Sequence, residues 1–155
     1  MSITKGRLVQ LWTARALVEQ SLLPGSSFFM VQTPNILSIF IRLAATKNTD
    51  VKAAVFEALA NLAQEPENAK RISASTNILE LLVRTVRERH AESEEASRQA
   101  VRAVLLMASN RSSTKRIAKH FGLVSCLSGY GTSSDKDYEL KQAALHGVVV
   151  LAPLI

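Results

Sequence analysis

Cysteine, aromatic residues and long hydrophobic runs are all scarce in this sequence. Its one cysteine, Cys126, excludes an internal disulfide and a cysteine-rich zinc site, and its place in the apolar segment LVSCL predicts a buried thiol. Because aromatic residues make up only 5% of the chain, the core must rest on Ala, Leu, Val and Ile, which suits closely packed helices better than a sheet sandwich. The longest apolar run, at 147–155, is far too short to span a bilayer, so we expect no transmembrane segment.

The composition as a whole predicts one folded domain with a modest positive charge. The chain has 155 residues, of which 47% are hydrophobic and 21% charged, and we treat residues 1–155 as a single domain. Its amino-terminal stretch, MSITKGRLVQLW, lacks the apolar core of a signal peptide, so we expect a protein of the cytoplasm or the nucleus. The net charge of +6 favours acidic partners, but its meaning depends on where the charges lie.

The chain repeats itself with a period of about 45 residues. Three ten-residue segments align with one another: AVFEALANLA at 54–63, QAVRAVLLMA at 99–108 and AALHGVVVLA at 143–152. Each keeps a small residue at its fifth position, namely Ala58, Ala103 and Gly147. The segments between them also correspond, as ILSIF, ILELL and LVSCL show. A fixed helical period in this range is typical of a solenoid of stacked helices.

Apolar periodicity and helix stop signals divide the chain into a leading helix and three repeats of three helices each. The leading helix is predicted at 5–20, and the repeats at 26–64, 66–109 and 112–152. Thr33-Pro34 has the pattern of an N-cap followed by proline at the first helical position, and it predicts the start of the second helix of repeat 1. Ser134 and Asp137 have the spacing of a capping box for the last long helix.

Two segments resemble the armadillo repeat. STKRIAKHFGLVSCL resembles the first half of the armadillo consensus, including Gly122 between the first and second helices, and VKAAVFEALANLA resembles its third helix, with Asn61 where that family usually has asparagine. The related HEAT repeat is the alternative, and the three-helix spacing favours armadillo. The resemblance implies an all-α, right-handed superhelical α-solenoid of about three repeats preceded by one extra helix.

Residue patterns that carry catalysis or bind metals are missing. The three histidines (His90, His120 and His146) have no ligand spacing to a cluster of Cys, Asp or Glu. Ser125-Cys126 with His120 does not have the arrangement of an activated nucleophile. We therefore predict a protein that is not an enzyme and that has no metal site and no cofactor.

The armadillo resemblance implies that the third helices line an inner groove, which binds an extended or helical segment of a partner protein. The candidate groove residues are Trp12, Glu57, Asn61, Arg102 and His146. In peptide-binding members of the family, tryptophan and asparagine recur four residues apart on successive third helices. Only Trp12 and Asn61 fit here, in different repeats, so the sequence departs from the ladder with which importin-α-like proteins hold basic localisation signals.

Positive charges recur at equivalent positions in the predicted first helices. This candidate basic ladder consists of Lys70, Arg71, Lys115, Arg116 and Lys119. Stacking would place its rungs about 10 Å apart. The ladder is either an ordinary solvated face or a binding surface for a polyanion, such as RNA or an acidic membrane; Phe121 is the one aromatic residue nearby. Other charges, such as Arg84 and Asp135, complement the dipoles of the predicted helices without a partner.

The two ends of the predicted stack carry apolar side chains. Trp12 and Leu11 lie on the first helix, and the last helix, LHGVVVLAPLI, is apolar nearly all round. Terminal repeats of a self-sufficient solenoid should have a polar outer face. We therefore expect the ends to meet neighbouring repeats of a longer chain or a second copy, and a regulatory segment of a larger protein remains a further alternative.

Overall fold

The computed structural model describes residues 3–88 and 93–155. Within these residues the fold is all-helical, without strands, as predicted. The ten α-helices are α1 (Ile3–Leu22), α2 (Ser26–Gln32), α3 (Ile36–Ala44), α4 (Thr49–Leu62), α5 (Pro66–Ser73), α6 (Thr76–Arg87), α7 (Glu94–Ala108), α8 (Arg111–Lys119), α9 (Leu123–Gly131) and α10 (Tyr138–Leu151). A short 3-10 turn follows at Ala152–Leu154. His90 lies outside the described residues.

The helices pack in a repeating pattern, in which each helix from α4 onward contacts the helix three places before it. The long helices form one series, which we call the long-helix column: α1, α4, α7 and α10. A second series contains α2, α5 and α8, and a third contains α3, α6 and α9. The packing is therefore repeat-like, with one helix from each series in every unit.

Two helix starts differ from the prediction. Helix α3 begins at Ile36, after Asn35 in the left-handed conformation (φ 67°), whereas Thr33 ends α2 and donates its hydroxyl to the carbonyl of Phe29 at 3.1 Å. Asn35 corresponds to Gly122, which precedes α9 with φ 91°. The N-cap predicted at Thr33-Pro34 was wrong, because asparagine, which tolerates the left-handed region, supplies the turn there.

The last long helix also begins later than the sequence predicted. Its N-cap is Asp137, whose carboxylate accepts from the backbone N–H of Leu140 at 3.0 Å. Ser134 lies outside the helix and is exposed, so the capping box was wrong. Asp137 is the better cap because it precedes the first helical turn directly and a carboxylate there also favours the helix dipole.

The small residues of the repeat lie where the long helices approach one another. Ala58 and Ala103 are fully buried. A Cβ atom on Gly147 would lie 2.7 Å from Cδ2 of Leu105, so α10 approaches α7 closely here and a larger residue would have to displace the Leu105 side chain. Leu59 and Met107 are among the buried side chains that fill the core around this column.

Buried polar side chains join some helices to their neighbours in the same series. Nδ2 of Asn61 on α4 donates to Oγ of Ser21 on α1 at 3.1 Å. Nδ2 of Asn68 on α5 donates to the carbonyl of Ser27 on α2 at 3.2 Å. Because an unpaired buried polar group costs about 1–3 kcal/mol, these bonds favour one register of the stack over its alternatives.

Other sequence predictions concern burial and the membrane. Cys126 is buried as predicted, with its thiol donating to the carbonyl of Leu123 at 3.1 Å. Apolar side chains are exposed on both terminal long helices, including Trp12 on α1 and Val149 on α10. No single helix among the described residues has the length and apolarity to cross a bilayer; α2 and α3 meet those criteria only as a pair, which is bent by 88°.

Overpacking the small-residue column should destabilise the fold. We expect Ala58→Leu or Ala103→Leu to lower the free energy of unfolding by about 1–3 kcal/mol, because each adds three carbon atoms to a fully buried position. Ala53→Leu, on a partly exposed face of α4, is the matched control and should cost much less. Urea denaturation measures the free energy of unfolding of the three variants. An equal loss in all three would show that the helices do not approach most closely at the small residues.

Replacing two of the glycines by alanine should change the stability of the fold in opposite directions. A Cβ on Gly131 would lie 2.5 Å from Cγ of Leu145 and 3.3 Å from the carbonyl of Lys141, so Gly131→Ala should push α9 from α10 and cost about 1–3 kcal/mol. A Cβ on Gly6 meets nothing within 4 Å, so Gly6→Ala should stabilise α1 by up to about 1 kcal/mol. Thermal denaturation shows whether each variant is more or less stable than wild type. A more stable Gly131→Ala variant would contradict the close approach of α9 to α10.

Candidate binding surfaces

An acidic concavity lies on the long-helix column, between α1, α4 and the start of α7. Its volume is about 390 Å³. Four carboxylates line it: Glu19, Asp50, Glu57 and Glu95. They face one guanidinium, that of Arg15. Glu95 pairs with Arg98 at 3.4 Å, whereas no basic side chain among the described residues forms an ion pair with the other three carboxylates. The concavity therefore presents excess negative charge.

An apolar concavity lies farther along the same column, between α7 and α10. Its volume is about 280 Å³, and its walls are mainly Leu105, Ala108, Val150 and Leu151, with His146 as the ionisable residue of its lining. His146 occupies the same place in the repeat as Glu57, which lines the acidic concavity. The equivalent face of α4 and of α10 is therefore open in both places, and we refer to the two concavities together as the groove.

The predicted groove residues have different environments. Glu57 and His146 line the two concavities, and Trp12 is 68% exposed on α1 outside both. Arg102 is half-buried and donates to Oε1 of Gln99 at 2.9 Å. Asn61 is only 9% exposed, and its amide is engaged with Ser21. Two of the five predicted residues, Glu57 and His146, therefore lie in the groove.

Sequence reasoning missed Arg15, Glu19 and Asp50 as groove residues. Arg15 and Glu19 belong to α1, and Asp50 lies in the first turn of α4, about thirty residues farther along. No spacing rule connects them, because only the packing of α1 against α4 places them together. A weak signal exists in the helical period, since Arg15 and Glu19 are four residues apart and share a face of α1.

The basic ladder is exposed along its whole length. All five of its cations are exposed: Lys70, Arg71, Lys115, Arg116 and Lys119. Helices α5 and α8 are in contact, and Nη1 of Arg116 donates to the carbonyl of Lys70 at 3.1 Å. The two rungs of the ladder are therefore neighbours in space, although they are separated by more than forty residues in sequence. We call these five residues the basic surface.

A buried ionic network holds α10 in place beside α7. Oδ1 of Asp135 accepts from Nε and Nη2 of Arg98 at 3.2 and 2.9 Å and from the backbone N–H of Asp137 at 2.8 Å. Oδ2 accepts from the hydroxyl of Tyr130 at 3.1 Å. Asp135 was expected to act on a helix dipole without a partner, which was wrong, because it precedes α10 and pairs with α7 instead.

The network shifts the pKa values of its members. Burial alone would raise the pKa of Asp135, but the N–H of Asp137, the guanidinium of Arg98 and the hydroxyl of Tyr130 outweigh burial, so the pKa is lowered. Burial raises the pKa of Tyr130, and the adjacent charge of Asp135 raises it further. Asp135 is therefore ionised at neutral pH, and its charge links the start of α10 to α7 and α9.

The described residues contain no group of three or more His, Cys, Asp and Glu side chains placed to hold a metal ion. No protein-family model and no curated protein matches the sequence. The shape and the charge of the surfaces described above are therefore the basis on which a function can be assigned.

The Asp135 network should make the free energy of unfolding depend on pH in the acidic range. We expect Asp135→Asn to lower the free energy of unfolding at pH 7 by about 1.5–3 kcal/mol, the range for hydrogen bonds to a charged group. Because the folded-state pKa of Asp135 is below its ordinary value of 3.8, its contribution is complete above that pH and is lost as pH falls below it.

Urea denaturation at pH 7, 5 and 3 measures this prediction. The difference in free energy of unfolding between wild type and Asp135→Asn should be the same at pH 7 and pH 5 and smaller at pH 3. Asp50→Asn, at an exposed aspartate, is the control for replacing a carboxylate by an amide. A gap that is constant across the three pH values would show that the charge of Asp135 contributes nothing.

Proposed function

We propose that this chain is an armadillo-type, right-handed superhelical α-solenoid and a non-enzymatic protein-interaction scaffold or adaptor. It binds an extended or helical segment of a partner protein along the groove. The observation that carries this proposal is the pair of concavities on equivalent helix faces, one acidic at Glu57 and one apolar at His146.

The packing of the helices supports the solenoid. Each of the three helix series stacks on its own kind, as expected when similar units are added by translation along the chain. Asn35 and Gly122, both left-handed, turn the chain between first and second helices at corresponding positions of repeats 1 and 3. The armadillo resemblance of 113–127 and 51–63 agrees with this arrangement.

The charge of the groove indicates the chemistry of the ligand. Glu19, Asp50 and Glu57 attract a lysine or an arginine near α1 and α4, and the walls between α7 and α10 accept an apolar side chain. Neighbouring helices pack about 8–10 Å apart, so the two concavities are separated by roughly 20 Å. An extended strand rises about 3.3 Å per residue, so about six residues separate the basic side chain from the apolar one.

Binding to an array of twelve-residue peptides tests this specificity. The peptides carry two lysines and one leucine, and the number of residues between the two kinds is varied. We expect the strongest binding near a separation of six. Glu19→Gln together with Glu57→Gln should weaken it about fivefold to thirtyfold, since two partly exposed charge pairs contribute about 0.5–1 kcal/mol each.

The double variant Glu67→Gln with Glu139→Gln is the matched control, because it removes the same charge from exposed positions on α5 and α10 outside the two concavities. It should leave the preference unchanged. Equal weakening by both double variants, or binding that does not depend on the lysine-to-leucine separation, would contradict a groove of this polarity.

A further inference from the structure

A concavity beside the basic surface has the character of an anion site. Its volume is about 580 Å³, and it is shallow and widely open to solvent. Lys115, Arg116 and Lys119 line one wall, and Thr76, in the first turn of α6, lines the other. No carboxylate belongs to its lining, and none among the described residues forms an ion pair with the three cations. The positive end of the α6 dipole adds to this field.

A second concavity adjoins the first at His120, which lines both. It has a volume of about 490 Å³ and contains Arg84, Arg87 and Phe121 together with two glutamates. One of these, Glu88, is paired with a lysine of α4 at 3.7 Å. The ring of Phe121 is 89% exposed, so it contributes little to the core. Cations and an exposed ring are therefore found side by side.

The imidazole between the two concavities has an unmet hydrogen bond. Nδ1 of His120 is buried and has no hydrogen-bond partner among the described residues. Such a group costs about 1–3 kcal/mol, and each one in a folded protein needs an explanation. His120 lines both concavities, so a ligand that spans them passes over its ring, although the buried Nδ1 itself is not reached.

We propose that the basic surface, together with Arg84, Arg87, His120 and Phe121, binds single-stranded nucleic acid. Backbone phosphates lie against the cations of the first concavity, and one base stacks on Phe121 in the second. A flexible strand offers successive phosphates and bases, which match the cations and the exposed ring found side by side. A base that can reach an isolated ring must be unstacked, which favours a single strand over a duplex.

Fluorescence anisotropy of a labelled twelve-residue oligouridine, with the full chain, tests this proposal. With four phosphate contacts, the logarithm of the binding constant should fall against the logarithm of salt concentration with a slope of about −3. Lys115→Glu with Lys119→Glu should reduce that slope by about half, since each contact contributes about 0.7. Phe121→Ala should weaken oligouridine binding about 5- to 150-fold, the range for the loss of one base stack.

Binding to heparin separates base recognition from charge alone, because heparin has no bases. Phe121→Ala should leave heparin binding unchanged, whereas the lysine double variant weakens it. The matched controls are Phe29→Ala, at an aromatic side chain that is 70% exposed on α2, and Arg7→Glu with Lys136→Glu, at exposed cations elsewhere. Neither should change the affinity for oligouridine by more than about twofold. All substituted positions are exposed, and circular dichroism checks that each variant is folded.

Several outcomes would overturn the proposal. Oligouridine binding that survives Phe121→Ala, or that falls in parallel with heparin binding, would reduce the surface to a general polyanion site. Phe121-dependent binding to phosphatidylserine vesicles without binding to oligouridine would assign it to lipid. A salt slope near zero would exclude phosphate contacts altogether. Because the groove residues are not used, failure here leaves the proposed peptide specificity untouched, and the reverse also holds.

Discussion

Close approach along the long-helix column is the constraint on which the rest of this structure depends. Ala58, Ala103 and Gly147 leave room for neighbouring helices to pack at short distance, and at Gly147 a single added carbon would meet Leu105. When successive long helices pack in this way, each shorter helix contacts the corresponding helix of the next unit, as α5 contacts α8 and α6 contacts α9. The adjacency of α5 and α8, and with it the basic surface, follows from packing elsewhere in the unit.

Apolar packing alone specifies a stack poorly, because Leu, Val and Ala can exchange neighbours at small cost. The buried polar side chains reduce that freedom. Asn61 meets Ser21, Asn68 meets a backbone carbonyl, and Asp135 meets Arg98 and Tyr130. A slip of one turn would leave Asn61 and Asn68 unpaired, at a cost of about 1–3 kcal/mol for each group, and would separate Asp135 from Arg98. Apolar burial thus supplies most of the stability, whereas the buried polar contacts select the register in which the helices pack.

The net charge of +6 conceals two local surfaces of opposite charge. Among residues 3–88 and 93–155, Glu19, Asp50 and Glu57 in the groove form no ion pair, and neither do Lys115, Arg116 and Lys119 on the basic surface. Two fields of opposite sign on one protein favour different ligands and discourage each from the other's site. The proposed peptide site and the proposed nucleic-acid site therefore lie on surfaces of opposite charge.

The amino-acid sequence by itself determined the helical class, the period and the small-residue positions, because periodicity and turn residues act over short distances. It also determined that Lys70 and Lys115 are equivalent. Tertiary structure alone decided which side chains meet: the partnership of Asp135 with Arg98, 37 residues away, the engagement of Asn61 with Ser21, and the grouping of Glu19 with Asp50 and Glu57. Those contacts depend on the crossing of helices that are distant in the chain. A one-dimensional pattern shows which face of a helix is apolar, but not which residue of its neighbour lies opposite.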